Sequence, residues 1–425
     1  MTRVLLLSTT TGYQLRSFDD AARRLGVDLV FATDRCHQLD DPWRDRALPI
    51  KFHQESFSLD TIAAEAARAP FDGVIVVGDR PTVLAARVAR RLGLPGNPPH
   101  AVAAAGNKHA SRLRFGAAGL HVPWNLTLPV RDDPERHLDE SSIDFPCVLK
   151  PLGLSGSRGV IRADTPAEFA AAFRRIRALL GRVDVRAVRT DDENELLVEG
   201  FIPGREVAVE GILTDGRLRI FTIFDKPDPL DGPFFEETIY VTPSSLTDAS
   251  QAQIFDAVQA GVDALDLSHG PIHAECRING DRVFVLEIAP RPIGGLCSRA
   301  LRFEGGASLE EIVVRHAIGE DISRIEREAV ASAVMMIPIP RRGILKRTEG
   351  EALAREVPSV EDVVITAKPD QLLEPLPEAG SYLGFIFARA LTSSAAEAAV
   401  REAHRRLSFA IDPAIDIVPA WALRG

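Results

Sequence analysis

The stretch HAECR at 273–277, followed after Ile278-Asn279-Gly280 by VLEIAPR at 285–291, decides how this chain is read. Each half is an apolar strand with one glutamate in it, Glu275 in the first and Glu287 in the second. A lone charge on a core-like strand is costly unless it is paired or bound to a cation. Two carboxylates brought to one point suit magnesium, with manganese as a substitute, because such ions take hard oxygen ligands and share them with phosphates. The bland alternative pairs each glutamate with Arg277 or Arg291. Side chains alternate between faces of a strand, so pairing register decides whether the glutamates meet. A two-residue Asn279-Gly280 loop would pair Ile278 with Asp281 and send them to opposite faces. A three-residue loop, Asn279–Asp281, would pair Ile278 with Arg282, place both on one face and set His273 opposite Glu287. The metal reading therefore demands the odd loop or a compensating bulge.

Upstream, FPCVLK ends an apolar strand at Lys150 and runs into the loop Gly153-Leu-Ser-Gly-Ser-Arg-Gly159. A lysine fixed at a strand end offers a point charge to phosphate oxygens. Gly153, Gly156 and Gly159 let backbone amides approach an anion closely, and Ser155, Ser157 and Arg158 add donors. A plain glycine-rich surface loop is the competing interpretation. ELLVEGFIPGRE at 195–206 carries an apolar strand into Glu199, Gly200, Phe201 and Ile202. Backbone groups of such a linker can bond an adenine edge while apolar side chains pack on its faces. Glu206 is placed to bind ribose hydroxyls.

The N-terminal part alternates short apolar runs (Val4–Ser8, Asp28–Thr33, Pro49–Phe52, Gly73–Gly78) with helical spacing at Phe18–Leu25, Leu59–Arg68 and Pro81–Leu92, which implies a parallel sheet wrapped by helices. Ala101–Gly119 reads as one helix carrying Lys108. Residues 128–200 read as a compact α+β unit with a helix at Pro166–Leu180. Strands dominate from Arg205 to Val241, a helix follows at Ser250–Leu265, and the tail holds strands at Val334–Ile339, Val363–Ala367 and Tyr382–Arg389 with a helix at Ser394–Phe409. Neither G-x-G-x-x-G nor G-x-x-x-x-G-K-[ST] occurs, which removes the dinucleotide-binding Rossmann and P-loop readings.

A length of 425 residues asks for about three domains. A net charge of -10 excludes a basic nucleic-acid footprint. The four cysteines, Cys36, Cys147, Cys276 and Cys297, make no C-x-x-C pair and read as small apolar residues of a reducing compartment. No apolar run approaches the ~20 residues that span a bilayer. A cytoplasmic protein without membrane partners is expected.

The order of motifs resembles the ATP-grasp superfamily over residues 1–330. FDKPDPLDGPFFEE at 224–237, LEIAPRPIGGLC at 286–297 and LGFIFAR at 383–389 are similar to the L-amino acid ligases, the bacilysin-type dipeptide synthases and carnosine-synthase-like enzymes. The resemblance implies an α/β and α+β chain in five parts. These are an N-terminal Rossmann-like domain (1–100), a linker helix (101–127), a lid subdomain (128–200), an antiparallel catalytic core (201–332) and a C-terminal α+β domain (333–425). It implies that Lys108 and Lys150 bind nucleotide, that 153–159 closes over the triphosphate, and that Glu199–Ile202 is the adenine hinge with Glu206 on ribose. It implies Glu275 and Glu287 as magnesium ligands, with Ala289 where many members carry a further asparagine ligand. Arg291 is expected beside the reacting acyl phosphate, assisted by the amides of Gly294 and Gly295. Glu237 is expected to hold a substrate ammonium, Lys226 to lie near the site, and His273 to be an acid/base group or a satisfied strand histidine. The implied activity joins a carboxylate to an amine, both from amino acids, at the expense of ATP, in a homodimer. Rival readings are a glycinamide-ribonucleotide-synthetase-like or carboxylase-like ligase, and a nucleotide-binding regulator without catalysis.

Overall fold

The computed structural model describes residues 2–9, 13–34, 47–140, 143–186 and 194–414. Four parallel strands open the chain, in the order Ala47–Pro49, Asp28–Thr33, Arg3–Ser8, Gly73–Val77. The two central ones are near-continuous apolar runs because helices cover both faces, as a parallel sheet requires. The third expected strand lies slightly earlier than its apolar run suggested, at Ala47–Pro49. Cys36 lies outside the described residues.

The expected single helix at 101–119 is two helices, Pro99–Ala105 and Lys108–Ala117. Between them Asn107 takes an extended conformation, and its side chain accepts from the Ala110 amide, capping the second helix. Lys108 therefore stands at a helix N-terminus. The unit expected as a lid holds a four-stranded antiparallel sheet, ordered Asn125–Pro129, Glu195–Gly200, Cys147–Pro151, Ile161–Ala163. The helix Pro166–Leu180 packs on it through Phe169, Phe173 and Ile176. Thr165 caps that helix, and Pro166 fits its first turn, where no N–H is needed.

An eight-stranded antiparallel sheet dominates the rest, ordered Arg282–Ala289, Gly270–Asn279, Arg205–Thr214, Arg217–Asp225, Ile239–Thr242, Ala331–Ile337, Gly384–Ala390, Val360–Ile365, beside a small sheet of Leu372–Leu373, Gly343–Glu349 and Ser408–Asp412 and a pair of two-residue strands, Arg302–Phe303 and Ala307–Ser308. It runs without interruption through position 332, because Ile239–Thr242 pairs with Ala331–Ile337. One apolar core unites the first helix, Tyr13–Leu25, with Tyr240, Ile293, Met336 and Phe385. The last expected helix ends at Arg405, and its remainder is the strand Ser408–Asp412.

The hairpin register departs from both forms considered from sequence. Asn279 pairs with Arg282 across a two-residue Gly280-Asp281 turn, and this phase continues to Cys276 and Val285. That phase alone would part the two glutamates. A bulge then shifts the ladder, leaving Leu286 as the extra residue, so that Glu275 sits directly opposite Glu287 and His273 opposite Ala289. The turn is not odd, and His273 does not face Glu287. The bulge restores the shared face.

Candidate active site

A cleft of about 350 Å³ opens where the four-stranded antiparallel sheet, the eight-stranded sheet and the C-terminal ends of the parallel strands meet. Its floor is one sheet face. On the strand Arg205–Thr214, Glu206, Ala208 and Glu210 project together, opposite Arg277, Glu275 and His273 of the neighbouring strand, with Glu287 beyond Glu275.

Lys150 ends its strand and reaches Glu199 Oε1 at 2.5 Å. Glu199 is also gripped by Arg112, at 2.7 Å to Oε2 and 3.3 Å to Oε1, and Arg112 donates to the Leu286 carbonyl at 2.8 Å. Arg112 is wholly buried. Burial alone would raise the Glu199 carboxyl, but the two cations outweigh it and hold it at about 2. Burial lowers Lys150, Glu199 opposes that, and the neighbouring Arg112 and Lys108 leave it below its ordinary value. Lys108 donates to the Leu154 carbonyl at 2.6 Å and lies 3.7 Å from Glu287. Thus Arg112, four residues after Lys108 on the same helix face, ties the lysine helix, the strand end at Glu199 and the bulge at Leu286 together.

Gly200, Phe201 and Ile202 line the cleft. Phe201 donates its amide to Pro146 at 3.0 Å, and proline has no N–H to return. The Phe201 carbonyl is thereby left without the reciprocal ladder bond at the cleft edge. Gly204 turns the chain with φ +114°, and a Cβ there would lie 2.1 Å from the Ile278 carbonyl oxygen. Ser155, Gly156 and Ser157 face the cleft, whereas Gly153 and Gly159 do not line it. Gly159 instead has φ +75° and packs against Pro151 and Leu179. Arg158, expected as a phosphate donor, bonds the Glu378 carbonyl at 2.7 Å and Asp184 at 2.9 Å.

The acidic residues are less alike than their sequence suggested. Carboxylate oxygens of Glu206, Glu237 and Glu275 lie within 4.8 Å of one another, a grouping that does not include Glu287. Lys226, 3% exposed, sits among them, 2.8 Å from Glu206, 3.6 Å from Glu275 and in contact with Glu237. Glu206, expected on ribose, is also bonded by Arg277 at 2.8 Å. Burial raises Glu237; Lys226 opposes this, Glu275 and Glu206 reinforce it, and the carboxyl stands at about 7. Tyr240 donates its hydroxyl to Glu237 at 2.6 Å. Burial would raise Glu275, but Lys226 and His273 hold it well below the carboxylate range. His273 bonds buried Glu210 at 3.1 Å and lies 3.8 Å from Glu275. Burial works against its charge, yet the two glutamates push it up to about 9.

Arg291 forms a two-pronged ion pair with Asp79, at 2.6 and 3.1 Å, just past the strand Gly73–Val77. Gly294 and Gly295 line the cleft beside it, and Ile293 donates its amide to Glu210 at 3.0 Å.

Sequence reasoning missed Asp79, Arg112 and Glu210. Asp79 follows the C-terminal end of a parallel strand, where open α/β sheets place ligands. Glu210 is a glutamate in an apolar strand, the same signal that singled out Glu275. Cys147, Cys276 and Cys297 are buried and unbridged.

Comparison with known proteins gives the arrangement its lineage. The family profile of the ATP-grasp domain matches residues 143–300, flanked by the ATP-grasp N-terminal domain at 18–96 and the L-amino acid ligase C-terminal domain 2 at 335–412. The chain belongs to the ATP-grasp family. It groups with the carboxylate–amine ligases of that family, enzymes that bind ATP. This ATP-grasp chain is 27% identical to an uncharacterized protein, y4rH, of Sinorhizobium fredii, over 98% of its own length and 85% of the relative's. It is 29% identical to the alanine–anticapsin ligase of Bacillus amyloliquefaciens over 49% of its length, a match spanning 46% of that ligase. Its fold superposes on an L-amino acid ligase from Bacillus licheniformis with a TM-score of 0.79 at 23% identity, covering 97% of this chain and 99% of the other. No described helix is long and apolar enough to cross a membrane.

Proposed function

We propose that this ATP-grasp enzyme joins two amino acids, activating the carboxylate of one as an acyl phosphate and capturing it with the amine of the other. The observation that carries the reading is the bulged hairpin. It aligns Glu275 with Glu287 on the cleft floor, with Lys108 beside Glu287 and with Lys150 and Arg291 lining the same cleft.

ATP enters with its adenine against Phe201 and Ile202 and its phosphates toward Lys108, Lys150 and the Ser155–Ser157 backbone. Glu275 and Glu287 fit a divalent ion. Both are carboxylates, they share a face, and their side chains are 27% and 28% exposed, with Lys226 and His273 near Glu275 and Lys108 near Glu287. Magnesium held there supplies positive charge to the phosphate oxygens.

In the first step a carboxylate oxygen of one substrate forms a bond to the γ-phosphorus, and the bond to the β,γ-bridging oxygen breaks, releasing ADP. Lys108 and Lys150 offset the charge gathering on the phosphates. In the second step the amine lone pair attacks the acyl carbon. The oxyanion that forms lies toward Arg291 and the amides of Gly294 and Gly295, and its collapse expels phosphate and leaves the amide. The incoming amine arrives as an ammonium and must lose two protons, one before attack and one as the intermediate collapses, the second leaving with the phosphate. Glu237, at about 7, holds that ammonium and takes the first proton. Asp79 keeps Arg291 oriented, since a bidentate carboxylate fixes a guanidinium plane.

The test is phosphate release from ATP with magnesium and amino acids, singly and in pairs, with products identified by mass. Amide product formed in step with phosphate is expected. Binding of ATP with no phosphate release under any mixture would overturn the reading in favour of a nucleotide-binding regulator.

A further inference from the structure

The segment from Glu374 to Tyr382 belongs to the C-terminal part of the chain, yet it touches the lid at every turn. Glu378 takes a two-pronged ion pair from Arg175 of the lid helix, at 2.6 and 2.9 Å. Glu374 accepts from Arg182, just past that helix, at 2.8 Å. The carbonyl of Pro377 accepts the Gly159 amide at 2.9 Å, and the carbonyl of Glu378 accepts from Arg158 at 2.7 Å. Gly380 stacks against the backbone of the glycine-rich loop: a Cβ there would stand 3.5 Å from the Gly156 oxygen. The same segment then enters the cleft, where Gly380, Ser381 and Tyr382 form part of the wall and Tyr382 lies 6.3 Å, ring to ring, from Phe385.

One short segment therefore holds the phosphate-facing loop from behind and lines the cleft in front. A loop of three glycines is intrinsically mobile, because each glycine loses more backbone freedom on ordering than any other residue. Its own contacts do little to order it: within the loop's backbone, only weak turn bonds such as Arg158 to Ser155 at 3.4 Å are formed. Beyond Lys108 on the Leu154 carbonyl and Asp184 on Arg158, the ordering contacts come from 374–382.

We propose that Glu374 and Glu378 are positioning residues, fastening the 153–159 loop to the substrate wall so that nucleotide cover and wall assemble as one body. Their carboxylates act through Arg175 and Arg182, while the Glu378 carbonyl holds Arg158, and they touch no reacting atom. In the ligase, the consequence is retention of the acyl phosphate: a loop that opens early admits water, and ATP is spent without amide. That consequence rests on the ligase reading, whereas the fastening itself does not.

The experiment compares the full-length chain with Glu374→Gln/Glu378→Gln. Amide hydrogen exchange is followed in peptides covering 153–160, where the Gly159 amide reports the Pro377 bond directly. Exchange about fivefold faster is expected, the factor that ~1 kcal/mol of lost ion pairing gives, with strand 384–390 unchanged. If strand 384–390 also speeds up, Arg175→Gln, which alters only the lid side, is read in its place. The charge exchange Arg175→Glu/Glu378→Arg should return exchange toward the unsubstituted rate. Exchange at 153–160 that stays the same in these variants overturns the proposal. In turnover, the ratio of phosphate released to amide formed should rise by a similar factor while the KM for ATP moves less. If the unsubstituted chain forms no amide at all, the ligase reading fails, and the exchange data still decide the fastening.

Discussion

Replacing Arg112 by methionine removes the guanidinium from a buried site. The structure allows the cost to be reached by two routes. Breaking a buried ion pair by deleting one partner costs about 3–5 kcal/mol, because the remaining charge is stranded. Lys150 stays beside Glu199 at 2.5 Å, which favours the lower end. Independently, Glu199 falls from an ordinary 4.5 to about 2 in the fold. At ~1.4 kcal/mol per pH unit that difference corresponds to about 3.5 kcal/mol, a sum in which Arg112 has the larger share and Lys150 the rest. Glu199 has the depressed pKa of a stabilising carboxylate. Its contribution is complete above about 4.5 and is lost as pH falls through about 2. The assay is urea unfolding followed by the fluorescence of Trp124, whose indole Nε1 would lie 2.7 Å from a Cβ on Gly200. Arg112→Met and Glu199→Gln should each cost about 3 kcal/mol. The double substitution should cost clearly less than their sum, because the two share one interaction. Strict additivity, or an Arg112→Met variant as stable as the unsubstituted chain, would refute the claim that this pair anchors the hinge.

Other substitutions probe the chemistry. Glu287→Ala should abolish ATP-dependent phosphate release, and near-normal acyl phosphate formation, trapped with hydroxylamine, would count against a metal there. Arg291→Ala should cut amide formation far more than ADP affinity measured by calorimetry; a parallel loss of both would contradict a role at the oxyanion. Glu237 binds an ammonium only when ionised, so the KM for the amine substrate should rise as pH falls below about 7, and Glu237→Gln should flatten that profile. His316 stacks on His269 at 4.4 Å; burial first, then that neighbour, push it down to about 4. The unfolded chain takes up the proton first, so stability should fall with pH between about 6.5 and about 4, by at most ~1.4 kcal/mol per pH unit. His316→Gln should reduce that slope in thermal melts taken across the range.

The strand Gly270–Asn279 and its partner were legible because a glutamate in an apolar run is a loud signal. Their register was not, since nothing in ING or VLE announces which residue is extra, and the Leu286 carbonyl at the bulge is held by Arg112, 174 positions away in the chain. The two-helix break at Gly106-Asn107 was visible in principle as a glycine followed by a good cap. The apolar spacing on either side of it favoured one longer helix. Lys226 was expected near the site, but not as a charge locked among Glu206, Glu237 and Glu275, because those residues come from three separate segments. Asp79 pairs with Arg291 across 212 positions of chain, and Arg112 with Glu199 across 87. Such partners are invisible to any window that slides along the sequence.

The pairing of Ile239–Thr242 with Ala331–Ile337 has a consequence for anyone who would shorten this molecule. A cut at 332 would not release a removable tail. It would strip a strand of its hydrogen-bonded neighbour and lay open a raw sheet edge, the template on which foreign strands assemble. It would also take Met336 and Phe385 out of the cleft wall. Trimmed versions should therefore precipitate before they reveal anything about catalysis.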